Sequence, residues 1–345
     1  MEPTLTDRDK KIFSLAIHEY ILTAEPVSSR KIAKKYNLNL SPATIRNVMA
    51  DLEEMGFFYQ PHTSAGRIPT DKGFRFYVDS LLESRELPLK KKKEIEKKYP
   101  KTSIKFSTLM KETSKILSEF SHGTGIVMAP KFIDTIFKRI EFVLLKKKQI
   151  LAIFVSQSGL LQNKIIEIDE EEVTQDDLDK YSRYLNEILS GLTLREVRHK
   201  ILNEMKKEQI IYNKLLSKAL QLGHSALEDN IEVEVYIEGQ INLLDYPEFA
   251  QTEKMKALFK AFEEKSVLLR ILDKAMENKG LQVFIGSENE YQEMVDCSFI
   301  LSSYSRDKNI LGSLGVIGPI RMNYFNIIPV VDYTAKLLSD YLDQN

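Results

Sequence analysis

"SPATIRNVMADLEEMGFFYQPHTSAGRIPTDKGFRFYVD" (residues 41–79) changes periodicity part-way along, and that change sets the fold class of the N-terminal region. Its first part has the spacing of a helix. Ser41 is a suitable N-cap and Pro42 fits the first helical position. Ile45, Val48, Met49 and Leu52 recur at i, i+3, i+4 and i+7, which makes one apolar stripe. Thr44, Arg46, Asn47 and Ala50 therefore face elsewhere. Gly56 supplies the stop, since glycine takes positive φ without strain. "FFYQPHTSAGRIPT" (57–70) then reads as a strand over Phe57–Gln60, a turn over Pro61–Gly66 and a short return strand over Arg67–Thr70.

Two more helices are expected upstream. The first follows Thr6 as N-cap and lines up Ile12, Leu15, Ala16 and Ile21, with "TAEP" closing it. Pro26 marks a turn. The second starts near Ser28 or Ser29, with Ile32 and Ala33 inward and Arg30, Lys31, Lys34 and Lys35 outward. Three helices followed by a hairpin is the order of a winged helix-turn-helix. In that motif the third helix enters the major groove and its early residues reach base edges. Arg46 can donate two hydrogen bonds to guanine, and Asn47 can pair with adenine in the same way. Ser41 and Thr44, at the helix start, suit phosphate oxygens. His62, Thr63, Ser64 and Arg67 would lie on the wing, beside the backbone or minor groove. Such folds also serve as protein-interaction modules, so fold alone leaves function open.

The 345-residue chain is 43% hydrophobic and 29% charged, long enough for two or three domains with real cores. Its net charge of −1 conceals an asymmetry: residues 1–105 carry 20 Lys+Arg against 14 Asp+Glu, and the remainder 29 against 36. A polyanion would therefore meet the N-terminal part. No apolar run approaches the roughly 18 residues of a membrane span, and the start has no apolar signal-peptide core. The single cysteine, Cys297, leaves no internal disulfide framework. These features point to the cytoplasm, with no membrane partner.

"ESRELPLKKKKEIEKKYPK" (83–101) reads as a solvated linker helix between Pro88 and Pro100. A further amphipathic helix is expected over 103–121, with Phe106, Met110, Ile116, Leu117 and Phe120 inward. Strand-like runs follow in "TGIVMAP", "FKRIEFVLLKK", "QILAIFVSQSG" and "LQNKIIEID", and again in "LQVFIGS", "CSFILSSYS" and "LGSLGVIGP", before a last helix at Thr334–Leu342. Between the two sets lie helical stripes: Leu178, Tyr181, Leu185, Ile188, Leu189 and Leu192; Val197, Ile201 and Met205; Ile211, Leu215, Ala219 and Leu222; and Met255, Phe259, Phe262, Leu269, Leu272 and Met276. Strands split by a helical stretch suggest an α+β domain carrying an insertion. "GVIGP" lacks the Lys-Ser/Thr ending of a phosphate loop. The five histidines have no partner at metal-ligand spacing, and Cys297 fits a buried structural thiol. The acid run at 169–179 fits a solvated helix start. No enzyme, cofactor or metal is expected.

Residues 44–47, 49–54 and 60–73 resemble the N-terminal signature of the HrcA family of bacterial heat-shock repressors, with Phe74 where tyrosine is usual. "GSEN" (286–289) and "LGSLGVIGPIRMNYFNIIPVVDY" (311–333) are similar to the family's C-terminal motifs. The resemblance implies α+β domains in this order: a winged helix-turn-helix over 1–82, a charged linker helix over 83–102, a GAF-like domain over 103–172 and 279–345, and a helix-rich dimerisation insert over 173–278. It further implies a homodimeric transcriptional repressor on an inverted-repeat operator, the CIRCE element, upstream of chaperonin and Hsp70-type chaperone operons. Activity would be lost on heat stress, with a GroEL-type chaperonin as a partner that helps keep the protein active. The competing reading is a ligand-sensing GAF-type regulator whose winged domain only contacts proteins. Salt separates the two. DNA binding through Z phosphates should weaken with log salt at a slope of about −0.9Z, and no such slope is expected of a protein-contact module.

Overall fold

Helix α1 (Asp7–Thr23) begins at Thr6, whose side chain and that of Asp9 form a reciprocal capping box. Its buried face is Ile12, Phe13, Ala16, Ile17 and Ile21. Helix α2 (Ser29–Tyr36) is capped by Ser28, which accepts from the Lys31 N–H at 3.2 Å. The carboxylate of Glu19, 1% exposed, joins the two helices. It accepts from Lys35 Nζ at 2.5 Å and Tyr36 Oη at 2.9 Å, and Lys31 Nζ lies at 3.2 Å. Burial alone would raise its pKa, yet the hydrogen bonds from Lys35, Tyr36 and Lys31 outweigh it and hold the carboxyl below the usual carboxylate range. Helix α3 (Pro42–Glu54) follows, then a minimal hairpin of β1 (Phe58–Tyr59) and β2 (Ile68–Pro69), and helix α4 (Asp71–Leu82). Both strands are shorter than expected, because only Phe58↔Pro69 and Tyr59↔Ile68 pair.

The computed structural model describes residues 5–82, 86–99, 105–130, 135–146, 148–157, 159, 161–168, 173–205, 214–227, 234–277, 280–289, 291, 294–306 and 309–344. Within the sequence expectations, Ile211 and the acids at 169–172 lie outside these residues. The chain divides into two compact units, residues 1–129 with 235–345 and residues 130–234.

In the first unit, α5 (Leu89–Lys98) and α6 (Phe106–Ser121) precede strand β3 (Thr124–Met128). The linker helix α5 is packed rather than solvated, which corrects the reading from charge. Ile95 and Tyr99 are buried, and the Tyr99 and Thr113 hydroxyls lie 3.0 Å apart. Strands β7 (Val235–Glu238), β8 (Leu281–Ile285), β9 (Cys297–Arg306) and β10 (Asn309–Pro319) complete an antiparallel sheet in the order β7-β3-β10-β9-β8. Two helices, α10 (Thr252–Glu263) and α11 (Lys265–Glu277), lie between β7 and β8 in the chain. Ser114 Oγ of α6 donates to the Gly125 carbonyl at 2.7 Å, and a Cβ at Gly125 would meet α6 backbone. Val316 pairs with Gly125, so side-chain alternation turns Ser313 to the opposite face. There Ser313 Oγ donates to the Leu272 carbonyl of α11 at 2.8 Å. Helices thus cover both faces, and β10 is buried along nearly its whole length. The last helix, α12 (Tyr324–Gln344), starts ten residues earlier than expected because it runs through Pro329, a residue that ordinarily disfavours a helix interior.

The second unit contains β4 (Phe137–Lys146), β5 (Gln149–Ser156) and β6 (Leu161–Glu167) as an antiparallel meander, with α7 (Gln175–Leu189), α8 (Leu194–Met205) and α9 (Lys214–Leu227). Along the edge strand β4, the N–H groups of Ile140, Phe142 and Leu144 donate to Asn186, Ser182 and Gln175 of α7. Side chains of one helix thus satisfy a row that would otherwise template foreign strands.

This division, at 129/130 and 234/235, differs from the expected boundaries at 172/173 and 278/279. Strands β4–β6 pair only with one another, so they leave the first sheet. β7 pairs with β3, and α11 packs on β10 through Leu272, so residues 235–277 rejoin it. Apolar stripes identify helices and strands but do not say which sheet they cover. The inward line of α10 and α11 is Leu258, Phe262, Leu268, Ile271 and Leu272; Phe259, Leu269 and Met276 are only half-buried.

At Gly73 a Cβ would sit 2.2 Å from the Phe57 carbonyl oxygen. Gly73→Ala should therefore destabilise the chain by about 1–3 kcal/mol through overpacking. A urea titration followed by circular dichroism checks this, as a lowered midpoint.

Candidate nucleic-acid interface

Helix α3 is secured at both ends. At the start, Ser41 Oγ accepts from the Thr44 N–H at 3.1 Å and lies 2.9 Å from Thr44 Oγ1, so the two hydroxyls sit together over the first turn. Ile45, Met49 and Leu52 have no exposed surface and Val48 almost none, which fixes the rotation of the helix about its axis. Arg46 and Asn47 then point to solvent, with no hydrogen-bond or ion-pair partner among the described residues.

At the other end Gly56 takes φ +79°. Thr70 Oγ1 donates to the Gly56 carbonyl at 2.7 Å and accepts from the Gly73 N–H at 3.1 Å. Lys72 Nζ donates to the Met55 carbonyl at 2.8 Å and lies over the Phe57 ring. The first turn of α4 thereby caps the carbonyl end of α3, where cations and donors are favoured.

His62, Thr63 and Ser64 are exposed at the hairpin tip. Gln60 sets the shape of that tip, because its side-chain amide donates to the carbonyls of Thr63 (3.1 Å) and Ala65 (2.8 Å). Arg67 differs from its expected place on the wing surface. Its side chain is 13% exposed, and Nε donates to Glu53 of α3 at 2.8 Å. Its backbone forms a two-bond bridge with Val27, both at 2.9 Å. The hairpin is thus tied both to the α1–α2 turn and to α3. Of the eight expected contact residues, Ser41, Thr44, Arg46 and Asn47 share the start of one helix, and His62, Thr63 and Ser64 share one turn. Arg67 is drawn inward as a prop.

Gln60, Thr70 and Lys72 escaped the reading of the sequence as site-shaping residues. Thr70 carried a signal: a threonine directly before Asp71 and a helical run is an N-cap pattern. Arg30 and Lys34 are exposed on α2, and of the Lys90–Lys93 run Lys92 lies over Tyr333 and 3.2 Å from Glu86. Among the described residues no group of His, Cys, Asp or Glu could hold a metal ion. No described helix is long and apolar enough to cross a membrane. Cys297 is buried, and burial pushes its thiol pKa well up.

Residues 107–328 match the family model described as the HrcA protein C terminal domain. The chain belongs to the HrcA family. A "Heat-inducible transcription repressor HrcA" of Geobacter sulfurreducens is 50% identical over 98% of each chain. Another of Syntrophobacter fumaroxidans is 45% identical over 99% of this chain and 98% of its own. A solved crystal structure of a hypothetical protein at 2.2 Å resolution is 25% identical, with a TM-score of 0.65 over 99% of both chains. HrcA proteins are regulators of transcription, not enzymes. The full-length identities carry the family resemblance of residues 41–79 through to the C-terminal motifs.

As a prop, Arg67 should matter through the hairpin. Arg67→Ala is expected to cost on the order of 1 kcal/mol of stability while leaving the salt slope of DNA binding unchanged. A slope reduced by about one would instead identify a phosphate contact.

Proposed function

We propose that this chain is a heat-inducible transcriptional repressor that reads an inverted-repeat operator of the CIRCE type, before chaperonin and Hsp70-type chaperone genes, as a homodimer. Residues 5–82 act as a winged helix-turn-helix. Helix α3 lies in the major groove, Arg46 and Asn47 meet base edges, and Ser41 and Thr44 hold phosphate. His62, Thr63 and Ser64 touch the flanking backbone or minor groove. The observation that carries this reading is the solvent-facing Arg46–Asn47 pair, on a helix whose opposite face is fully buried and whose rotation is therefore set.

An inverted repeat needs a two-fold partner, with like reading helices about 34–36 Å apart or a multiple of that. The second unit supports such pairing. Val143, Leu151 and Ile165 form one cross-strand row and Val155 and Leu161 another. Leu161 is 71% and Ile165 55% exposed, and Arg139, Glu141 and Asn163 lie on the same face, a mixed surface with exposed apolar side chains that a second copy could cover. Beyond residue 82, the rest of the first unit, a sheet with helices on both faces, is the GAF-like body. The repressor loses activity on heating, and a GroEL-type chaperonin helps keep it in the active form.

Arg46→Ala should cost about 1–3 kcal/mol on the specific operator and relax preference at one base pair. Mobility-shift titrations on the inverted repeat and on a scrambled duplex check this. Equal weakening on both would make Arg46 a phosphate contact and overturn its reading role.

A further inference from the structure

The N-terminal helices meet the body through the same short segment that caps α3. Asp71, at the start of α4, accepts from the Ser287 N–H at 2.8 Å. Gly286 leaves that carboxylate its space, since a Cβ there would lie 2.5 Å from it. One turn on, Arg75 holds Glu288 through both Nε (2.7 Å) and Nη2, and Nη2 also donates to the Val283 carbonyl at 2.5 Å. Glu288 is itself fixed, because it accepts from the Ile285 N–H at 2.8 Å. At the other side, Arg321 donates to the Ile21 carbonyl at the end of α1 (2.9 Å) and pairs with Glu248. Phe74 and Tyr324 are buried against each other between these polar ties, ring centroids 6.1 Å apart.

The chain of contacts is continuous and short. The carboxyl end of α3 is fastened to Thr70 and Lys72, and Asp71 and Arg75 of that same α4 are fastened to Ser287 and Glu288 of the body. A bidentate arginine–carboxylate pair fixes orientation as well as distance. A floppy joint would let each reading helix find its half-site alone; a stiff one lets both arrive already spaced, which raises the effective concentration of the second.

We infer that Asp71, Arg75 and Glu288 are positioning residues that hold α3 at the orientation a two-fold operator requires, so that the joint sets tolerance to half-site spacing rather than affinity for a half-site. This rests on the operator-reading function proposed above. None of the three touches DNA.

The test uses the full chain and three duplexes: a CIRCE-type inverted repeat with its natural spacer, the same repeat with about 5 base pairs, half a helical turn, added to the spacer, and a single half-site. The wild type is expected to prefer the natural spacing at least about tenfold. In Arg75→Met, which keeps the side-chain stem, and separately in Glu288→Gln, that preference should collapse toward one while half-site affinity stays within about twofold. Unchanged urea midpoints would show that the variants fold. A spacing preference retained in both variants overturns the inference, and so does loss of half-site binding in folded variants, since the joint would then shape α3 itself. If the wild type binds all duplexes and a scrambled control alike, it is the operator-reading function that fails.

Discussion

The N-terminal architecture depends on one constraint: the loop that leaves the hairpin must pass against the end of α3 closely enough for Thr70, Lys72 and Gly73 to satisfy the carbonyls of Met55 and Gly56 and to press on that of Phe57. The last carbonyls of a helix need outside partners: those of Asp51, Leu52 and Glu53 take the N–H groups of Met55, Phe57 and Gly56, and the carbonyls of Met55 and Gly56 just beyond take Lys72 and Thr70. Because that segment also starts α4, the cap and the attachment to the body are one feature. With Ser41 capping the opposite end and the apolar stripe buried, Arg46 and Asn47 face solvent with no partner among the described residues. Orientation comes from what is buried behind them.

That view redistributes the meaning of the stretch from residue 60 to residue 73. Read as a sequence, it resembles a loop of exposed donors. In the folded chain Gln60 braces the turn, Arg67 bridges Val27 and Glu53, Thr70 and Lys72 cap α3, and Asp71 reaches Ser287. His62, Thr63 and Ser64 stay exposed at the tip. The two C-terminal motifs are read in the same way: Ser287 and Glu288 receive α4, Asn289 donates to the carbonyl of Cys297 at 2.9 Å, and Arg321 receives α1. Motifs more than 200 residues apart in the sequence are the two halves of one contact.

Helices and strands were legible where a single periodicity acts, as with the i, i+3, i+4, i+7 stripe of α3 and the caps Thr6, Ser28 and Ser41. The allocation of strands to sheets was not legible, since hydrogen-bond partners lie far along the chain. The run from β3 to β6 reads as continuous strands, yet β3 pairs with β10 and β7 while β4–β6 pair among themselves. Pro329 hid the first half of α12, because proline normally argues against a helix interior. For the site, residue type and helical spacing placed Arg46 and Asn47 outward. Arg67 misled, because a charged side chain in a turn reads as solvent-facing until its distant partner Glu53 is known.

Hydrogen exchange on the full chain, with and without an inverted-repeat duplex, tests the placement of the reading surface most directly. Exchange of the backbone amides should slow at residues 41–50 and 60–66 on binding, with residues 70–75, already tied in the free protein, changing little. Unchanged exchange at 41–50, with protection appearing elsewhere on the chain, would contradict the account and remove α3 from the groove.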